Sequence, residues 1–221
     1  MSYAQSILGD TITWLVRNQE SIVSMTIQHL NVSLTAVGIA LVLWVPLGLL
    51  LHEHDDFAPP VIGTAGMVLT IPSLVLLPLL IPLVGIGVAP AVIALVLYSA
   101  LPMIRNTYTG LEEVDESMVR AGEGLGMTDR ELLFRVKIPM AIPVIFAGIR
   151  QAAVLVIGIT TIAAFFGAGG LGEAIFAGIR LNFPQQILGA TIVVSAIAVA
   201  TDYGLLFVQR ALPGGKKGVE P

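Results

Sequence analysis

The chain has no cysteine, few charges and few aromatics. Without cysteine there is no disulfide, no thiol nucleophile and no Cys-ligated zinc, and the redox compartment goes unmarked. Charged residues fill only 12% of the 221 positions, against 56% hydrophobic residues and a mean hydropathy of +0.90. A soluble domain carries about 25% charged residues. Too little polar surface remains here to cover a soluble globule, which excludes a soluble enzyme and a disordered chain alike. The formal net charge is −4 and the basic residues are scattered, which argues against nucleic acid as a partner. His29, His52 and His54 do not make a clustered metal site by themselves. No Walker A pattern, no nucleophile–base set and no histidine pair at metal spacing occurs. No chemistry, catalytic residue or cofactor is therefore expected of this chain.

What the sequence does have is long apolar runs. A membrane helix needs about 20 mostly apolar residues to cross a hydrocarbon layer about 30 Å thick. Asn31–Leu51 supplies one. Phe57–Ile104 carries no charge and is long enough for two, with a break expected near Pro82–Pro90, where Gly85 and Gly87 also interrupt the pattern. Ile138–Phe166 is a fourth, with one charge at Arg150, and Leu181 to about Val208 is a fifth that includes Asp202. The expected fold is an all-α integral membrane protein of about five transmembrane helices.

Five spans put the two termini on opposite sides of the membrane. With the amino terminus outside, Arg105, Arg120, Arg130, Arg135, Lys137, Arg210, Lys216 and Lys217 are cytoplasmic, and only Arg17 and Arg180 are external. That bias follows the excess of Lys and Arg found in cytoplasmic loops. In residues 1–28, Tyr3, Ile7, Leu8, Ile12, Leu15 and Val16 recur at helical spacing, with Asp10, Arg17 and Glu20 between them. This reads as an amphipathic segment at the outer interface, with a disordered tail as the alternative. There is no basic start and no small-residue cleavage site, so a cleavable signal is not expected. Residues 29–210 form the membrane domain, and 211–221 a short cytoplasmic tail.

The one long polar connection on the cytoplasmic side runs from Arg105 to Lys137. Glu112, Glu113, Asp115 and Glu116 open it, where acids suit a helix amino terminus. A solvated helix start is the expected role of this run, ahead of cation binding. A short helix over Ser117–Leu125 follows, ended by Gly126 in a left-handed conformation. Thr128-Asp-Arg-Glu131 is a capping box, starting a second helix through Val136 that Pro139 limits. Helix, glycine turn, helix makes a rigid knob suited to docking.

This loop resembles the EAA motif of ABC importer permeases, which reads E-A-A, three residues, G, nine residues, I-x-L-P. Here it stands as Arg120-Ala121-Gly122, Gly126, Val136 and Ile138-Pro139, with the spacing kept. Arg120 replaces the glutamate and Gly122 the second alanine. The resemblance implies a type I ABC importer fold in which this segment is the coupling helix seated in a cytoplasmic ATPase. Ser117, Met118, Val119, Arg120, Ala121, Gly122, Glu123, Gly124, Gly126, Met127 and Pro139 are then the ATPase-coupling residues. Thr70-Ile-Pro-Ser73, Leu101-Pro-Met-Ile-Arg-Asn-Thr-Tyr-Thr-Gly110, Ala147-Gly-Ile-Arg150 and Gly167-Ala-Gly-Gly-Leu-Gly172 are similar to the osmoprotectant branch of that family. Members of that branch import glycine betaine, choline, carnitine and related quaternary ammonium solutes. Implied partners are a cytoplasmic ABC ATPase dimer that binds ATP and Mg, a second permease subunit (identical or homologous), a separate extracytoplasmic solute-binding protein, and membrane lipid. Alternatives are a permease for another small solute such as an amino acid, an ion-driven secondary transporter, and a scaffold without transport.

Several features admit two readings. Gly167, Gly169, Gly170 and Gly172 match G-x-G-x-x-G, but an apolar span precedes them where a dinucleotide site needs a strand. A tight external turn is expected instead, which in the family faces the binding protein. Pro72, Ser73 and Pro102 mark a gate hinge or a packing kink, because proline leaves a helix carbonyl without its donor. Arg150 either lines the pathway, or pairs or snorkels in a structural role, with Asp202 as a possible partner. A fixed positive charge would oppose a cationic solute, which favours the structural role. Trp14, Trp44, Tyr98 and Tyr108 are expected as interface anchors or core rather than as an ammonium cage.

Overall fold

The computed structural model describes residues 3–212. The tail residues 213–221, with Lys216 and Lys217, lie outside that range. The described residues form ten α-helices and no strand: α1 (Tyr3–Arg17), α2 (Gln19–Glu53), α3 (Ala58–Thr70), α4 (Ser73–Val84), α5 (Val88–Glu112), α6 (Glu116–Gly124), α7 (Asp129–Leu132), α8 (Ile138–Ala163), α9 (Leu171–Arg180) and α10 (Pro184–Ala211). Four helical stretches, 19–53, 88–112, 129–166 and 184–211, are long and apolar enough to cross a membrane, and the bent pair 55–84 makes a fifth.

The centre is α5, flanked by α2 and α8. The core there is built from small residues: Ala36 and Ala40 of α2, Ala91 and Ala94 of α5, Ala152 of α8, with Leu95 and Val156. Lipid offers no hydrophobic gain to helix association, so close backbone approach has to supply the packing. Gly148 sets the α5–α8 approach, since a Cβ there would stand 2.5 Å from the Pro102 carbonyl oxygen. Trp44 of α2 donates from Nε1 to the Val96 carbonyl at 2.8 Å. Tyr98 is buried, and Trp44 packs half-buried against the same core.

The segment expected as a single second span is instead broken. The helix stops at Thr70, Ile71 is extended (φ −70, ψ 124), and α4 leaves at 99° to the preceding helix. A residue before proline is pushed out of the α region, and that is enough to end α3. The Tyr98 hydroxyl donates to the Ile71 carbonyl at 2.7 Å, satisfying a group that the break leaves open. The expected break near Pro82–Pro90 falls at Gly85–Gly87, with φ +83 and +120. Gly87 N–H donates to the Phe166 carbonyl at 3.2 Å, joining this turn to the far end of α8.

Two other expectations need correction. Residues 19–28 are not part of a separate amphipathic segment: the backbone breaks at Asn18, and α2 runs unbroken from Gln19 through the first span. The first helix, α1, packs on α10 and leaves Leu8, Ile12 and Val16 exposed along one face. Nor does Pro139 end the second loop helix. Residues Leu133–Lys137 form a π turn, in which Ile138 N–H reaches the Leu133 carbonyl, and α8 follows directly. Pro139 sits in the first turn of α8, and the wider turn before it absorbs its missing N–H. Between the glycine-rich turn and the fifth span lies one further helix. Gly172 belongs to α9, a ten-residue helix between the turn and α10.

Candidate functional site

The loop between α5 and α8 is a compact knob. Asp115 caps α6, accepting from the Ser117 N–H at 2.8 Å. Thr128 and Glu131 form the capping box of α7, the Thr128 hydroxyl accepting from Glu131 N–H and Glu131 accepting from Thr128 N–H at 3.1 Å. These hydrogen bonds hold both carboxyls below their ordinary range: from the Ser117 hydroxyl first and then its amide for Asp115, from the Thr128 amide first for Glu131. Gly126 turns the chain at φ +79. Gly122 is buried, and a Cβ on it would stand 2.5 Å from Leu132 Cδ2. The small residue at this position therefore lets α6 close on α7 inside the knob, while Ala121 faces outward. Arg120 is exposed and pairs with Glu116 one turn back at 3.4 Å. Met118, Leu125 and Phe134 are exposed apolar side chains on the knob and the π turn behind it, Leu125 at 79%.

Within the bundle, Leu69, Leu101, Pro102, Arg105, Asn106, Thr109, Gln151 and Leu155 line an open groove of about 370 Å³ between α3, α5 and α8. It brings Pro102 to a polar surface, whereas Ser73 and Arg150 lie elsewhere. Arg105 has no carboxylate partner among the described residues. A charged and amide-bearing face at span depth belongs against water or another protein, not lipid.

At the opposite end of α8, Gly167, Gly169 and Gly170 all have positive φ, and the turn docks on α2. Gln28 Oε1 accepts from Gly170 N–H at 3.0 Å. His29, fully buried, donates from Nε2 to the Ile157 carbonyl at 3.1 Å, and Ser33 and Thr160 hydroxyls pair at 3.0 Å. Gly172 lies against the Thr161 carbonyl with no room for a side chain. Sequence reasoning missed this seam, although Gln28, His29 and Ser33 are neighbours at helical spacing in an apolar run.

The structure pairs Arg150 with Asp202: Nε lies 3.0 Å from Oδ1. Gln209 accepts from Arg150 at 3.5 Å and donates to the Pro143 carbonyl at 2.7 Å. The four aromatics named above are dispersed, with Trp14 beside Gly189 and the Tyr108 hydroxyl on Asp55. Of the histidines, His52 stands apart from His29, and joins carboxylates rather than other imidazoles.

A broken second span, a knob between the third and fourth, and a small-residue core together define an importer-type permease subunit. Residues 63–213 match the family described as binding-protein-dependent transport system inner membrane component, and the chain belongs to that family. It is 41% identical over 214 residues to the glycine betaine/carnitine/choline transport system permease protein OpuCB of Bacillus subtilis (strain 168), covering 96% of this chain and 99% of that one. It is 44% identical to the osmoprotectant import permease protein OsmW of Salmonella typhimurium, over 92% of this chain and 97% of the relative. A chain of the MetNI methionine ABC transporter, solved in inward-facing conformations, shares the fold with a TM-score of 0.76 at 19% identity, over 96% of this chain and 99% of that chain.

Proposed function

We propose that this chain is the membrane-spanning subunit of an ATP-driven importer of osmoprotectants: glycine betaine, carnitine, choline or similar quaternary ammonium solutes. The observation that carries this is the 41% identity, along nearly the whole of both chains, to a permease of a glycine betaine/carnitine/choline system. The amino terminus lies outside and the knob inside. Residues Ser117–Met127 dock on a cytoplasmic ATPase, which binds the ATP and Mg; Met118 and Leu125 supply exposed apolar contact and Ala121 the close approach. Two permease subunits, identical or homologous, face one another across the α3–α5–α8 groove, which with Pro72, Ser73 and Pro102 forms half of the pathway and its gate. Arg150 and Asp202 neutralise one another and brace α10 on α8. A separate solute-binding protein docks at the surface of the Gly167–Gly172 turn, and α1 rests its exposed apolar face on lipid.

In this reading ATP closes the two ATPases, the knobs move as rigid bodies, and the groove changes the side to which it opens. The test is uptake of labelled glycine betaine and choline into vesicles holding the complete assembly. Uptake that requires ATP and the binding protein is expected. ATP-independent uptake, or uptake driven by an ion gradient alone, overturns the reading. Ala121→Trp should leave ATP hydrolysis running while uptake falls, with the protein still in the membrane; unimpaired uptake would remove the knob from its assigned role.

A further inference from the structure

His52, in the last turn of α2, joins three elements through one ring. Its Nδ1 stands 2.5 Å from Glu112 Oε1 at the end of α5. Its Nε2 stands 2.9 Å from the Lys137 ammonium, the last residue before α8. An ammonium has only donors, so Lys137 donates and the Nε2 lone pair accepts. The ring proton is then at Nδ1 and is donated to the Glu112 carboxylate; the partners fix this tautomer. Among the described residues, Lys137–His52 is the one side-chain hydrogen bond between α2 and the knob segment.

The surroundings are charged on every side. From α5 come Glu112 and Tyr108, from the turn after α2 comes Asp55, which accepts from the Tyr108 hydroxyl, and at the end of α2 lies Glu53, followed by His54. A cleft of about 390 Å³ at the root of the knob is lined by His52, Lys137, Glu123 of α6, and Asp129 and Arg130 of α7. The imidazole therefore sits where the knob meets the first and third spans, and is 11% exposed.

We propose that His52 is a positioning residue for coupling: it carries displacement of the knob, through Lys137, to the inner ends of the first and third spans. This rests on the knob being the ATPase contact.

The test uses the complete assembly in vesicles and reads solute moved per ATP hydrolysed. His52→Leu should lower that ratio by about fivefold or more, through the loss of its hydrogen bonds to two charged groups, with hydrolysis continuing. His52→Gln should restore it, since an amide oxygen accepts from Lys137 while its NH₂ donates to Glu112. A wild-type ratio in His52→Leu, or no recovery in His52→Gln, overturns the proposal. Amide hydrogen exchange on the same purified assembly needs no solute. Faster exchange at residues 133–138 in His52→Leu but not in His52→Gln supports the tie, and equal exchange in both overturns it. Absence of uptake by the wild type with that exchange contrast intact would count against the assigned solute, not against the tie.

Discussion

Arg150 and Asp202 meet at 3.0 Å, joining the middle of α8 to α10, a helix with little other buried surface. Both side chains are partly exposed, at 29% and 41%. Removing one partner leaves a single charge at span depth, which costs far more than the pair itself contributes. Arg150→Met or Asp202→Leu alone should destabilise the purified protein by about 1–2 kcal/mol, discounted from the fully buried case for this exposure. The double variant should recover most of that loss. Thermal unfolding of the four proteins in detergent measures it, and additive losses would show that the two side chains do not interact.

A second expectation concerns the break before α4. Tyr98→Phe removes the donor to the Ile71 carbonyl while keeping the ring in the core. The cost should be about 1 kcal/mol, the net value of a typical hydrogen bond. Amide exchange should accelerate at residues 71–76 and hardly change at 100–110. Uniform acceleration would place the role of Tyr98 in global packing instead.

A third addresses the knob itself. Gly122→Val drives a side chain into Leu132, so α6 and α7 must part. Gly126→Ala meets open space and suffers only the left-handed backbone, about 1 kcal/mol. Uptake per ATP should fall strongly in the first and mildly in the second, at equal amounts of membrane protein. The reverse order would show that the turn, rather than the closure of α6 on α7, shapes the knob.

Acid should loosen the same element. Asp115 and Glu131 are held below their ordinary values of 3.8 and 4.5 by the caps they accept. A depressed carboxyl stabilises the folded knob above its unfolded pKa, and that contribution drains away as pH falls through the lower, folded value. Exchange at residues 116–132, corrected for intrinsic rate, should therefore rise below about pH 4.5 and stay unchanged between about pH 6 and 8. Glu131→Gln should blunt the part of this rise that centres on α7.

Much of this was legible because it is local. Apolar run length gives the spans, and Gly85 and Gly87 mark a break that the backbone makes. Thr128 and Glu131, three residues apart, specify a cap that forms as written. What was not legible depends on distant partners. Nothing near Pro72 says that Tyr98 will satisfy the carbonyl before it, so a kink and a complete break looked alike. Pro139 looked like a stop because a π turn, which moves the hydrogen bonds by one residue, leaves no mark in composition. His52, Glu112 and Lys137 are separated by 60 and 85 positions in the pairs that bind them, and no spacing rule reaches that far. The α9 helix was overlooked because ten residues after a glycine-rich turn are too few to declare themselves as a span.

The stretch Asp129–Phe166 is 38 residues of continuous helical backbone. At about 1.5 Å per residue it is a rod of about 57 Å, longer than the bilayer is thick. One of its ends is embedded in the knob, and the other carries the glycine turn that grips Gln28. A rod of this kind works as a pushrod: a tilt imposed at one face of the membrane is delivered to the opposite face without passing through side chains. Movement of the knob and of the glycine turn can thus share a single piece of main chain, with the π turn set close to its knob end.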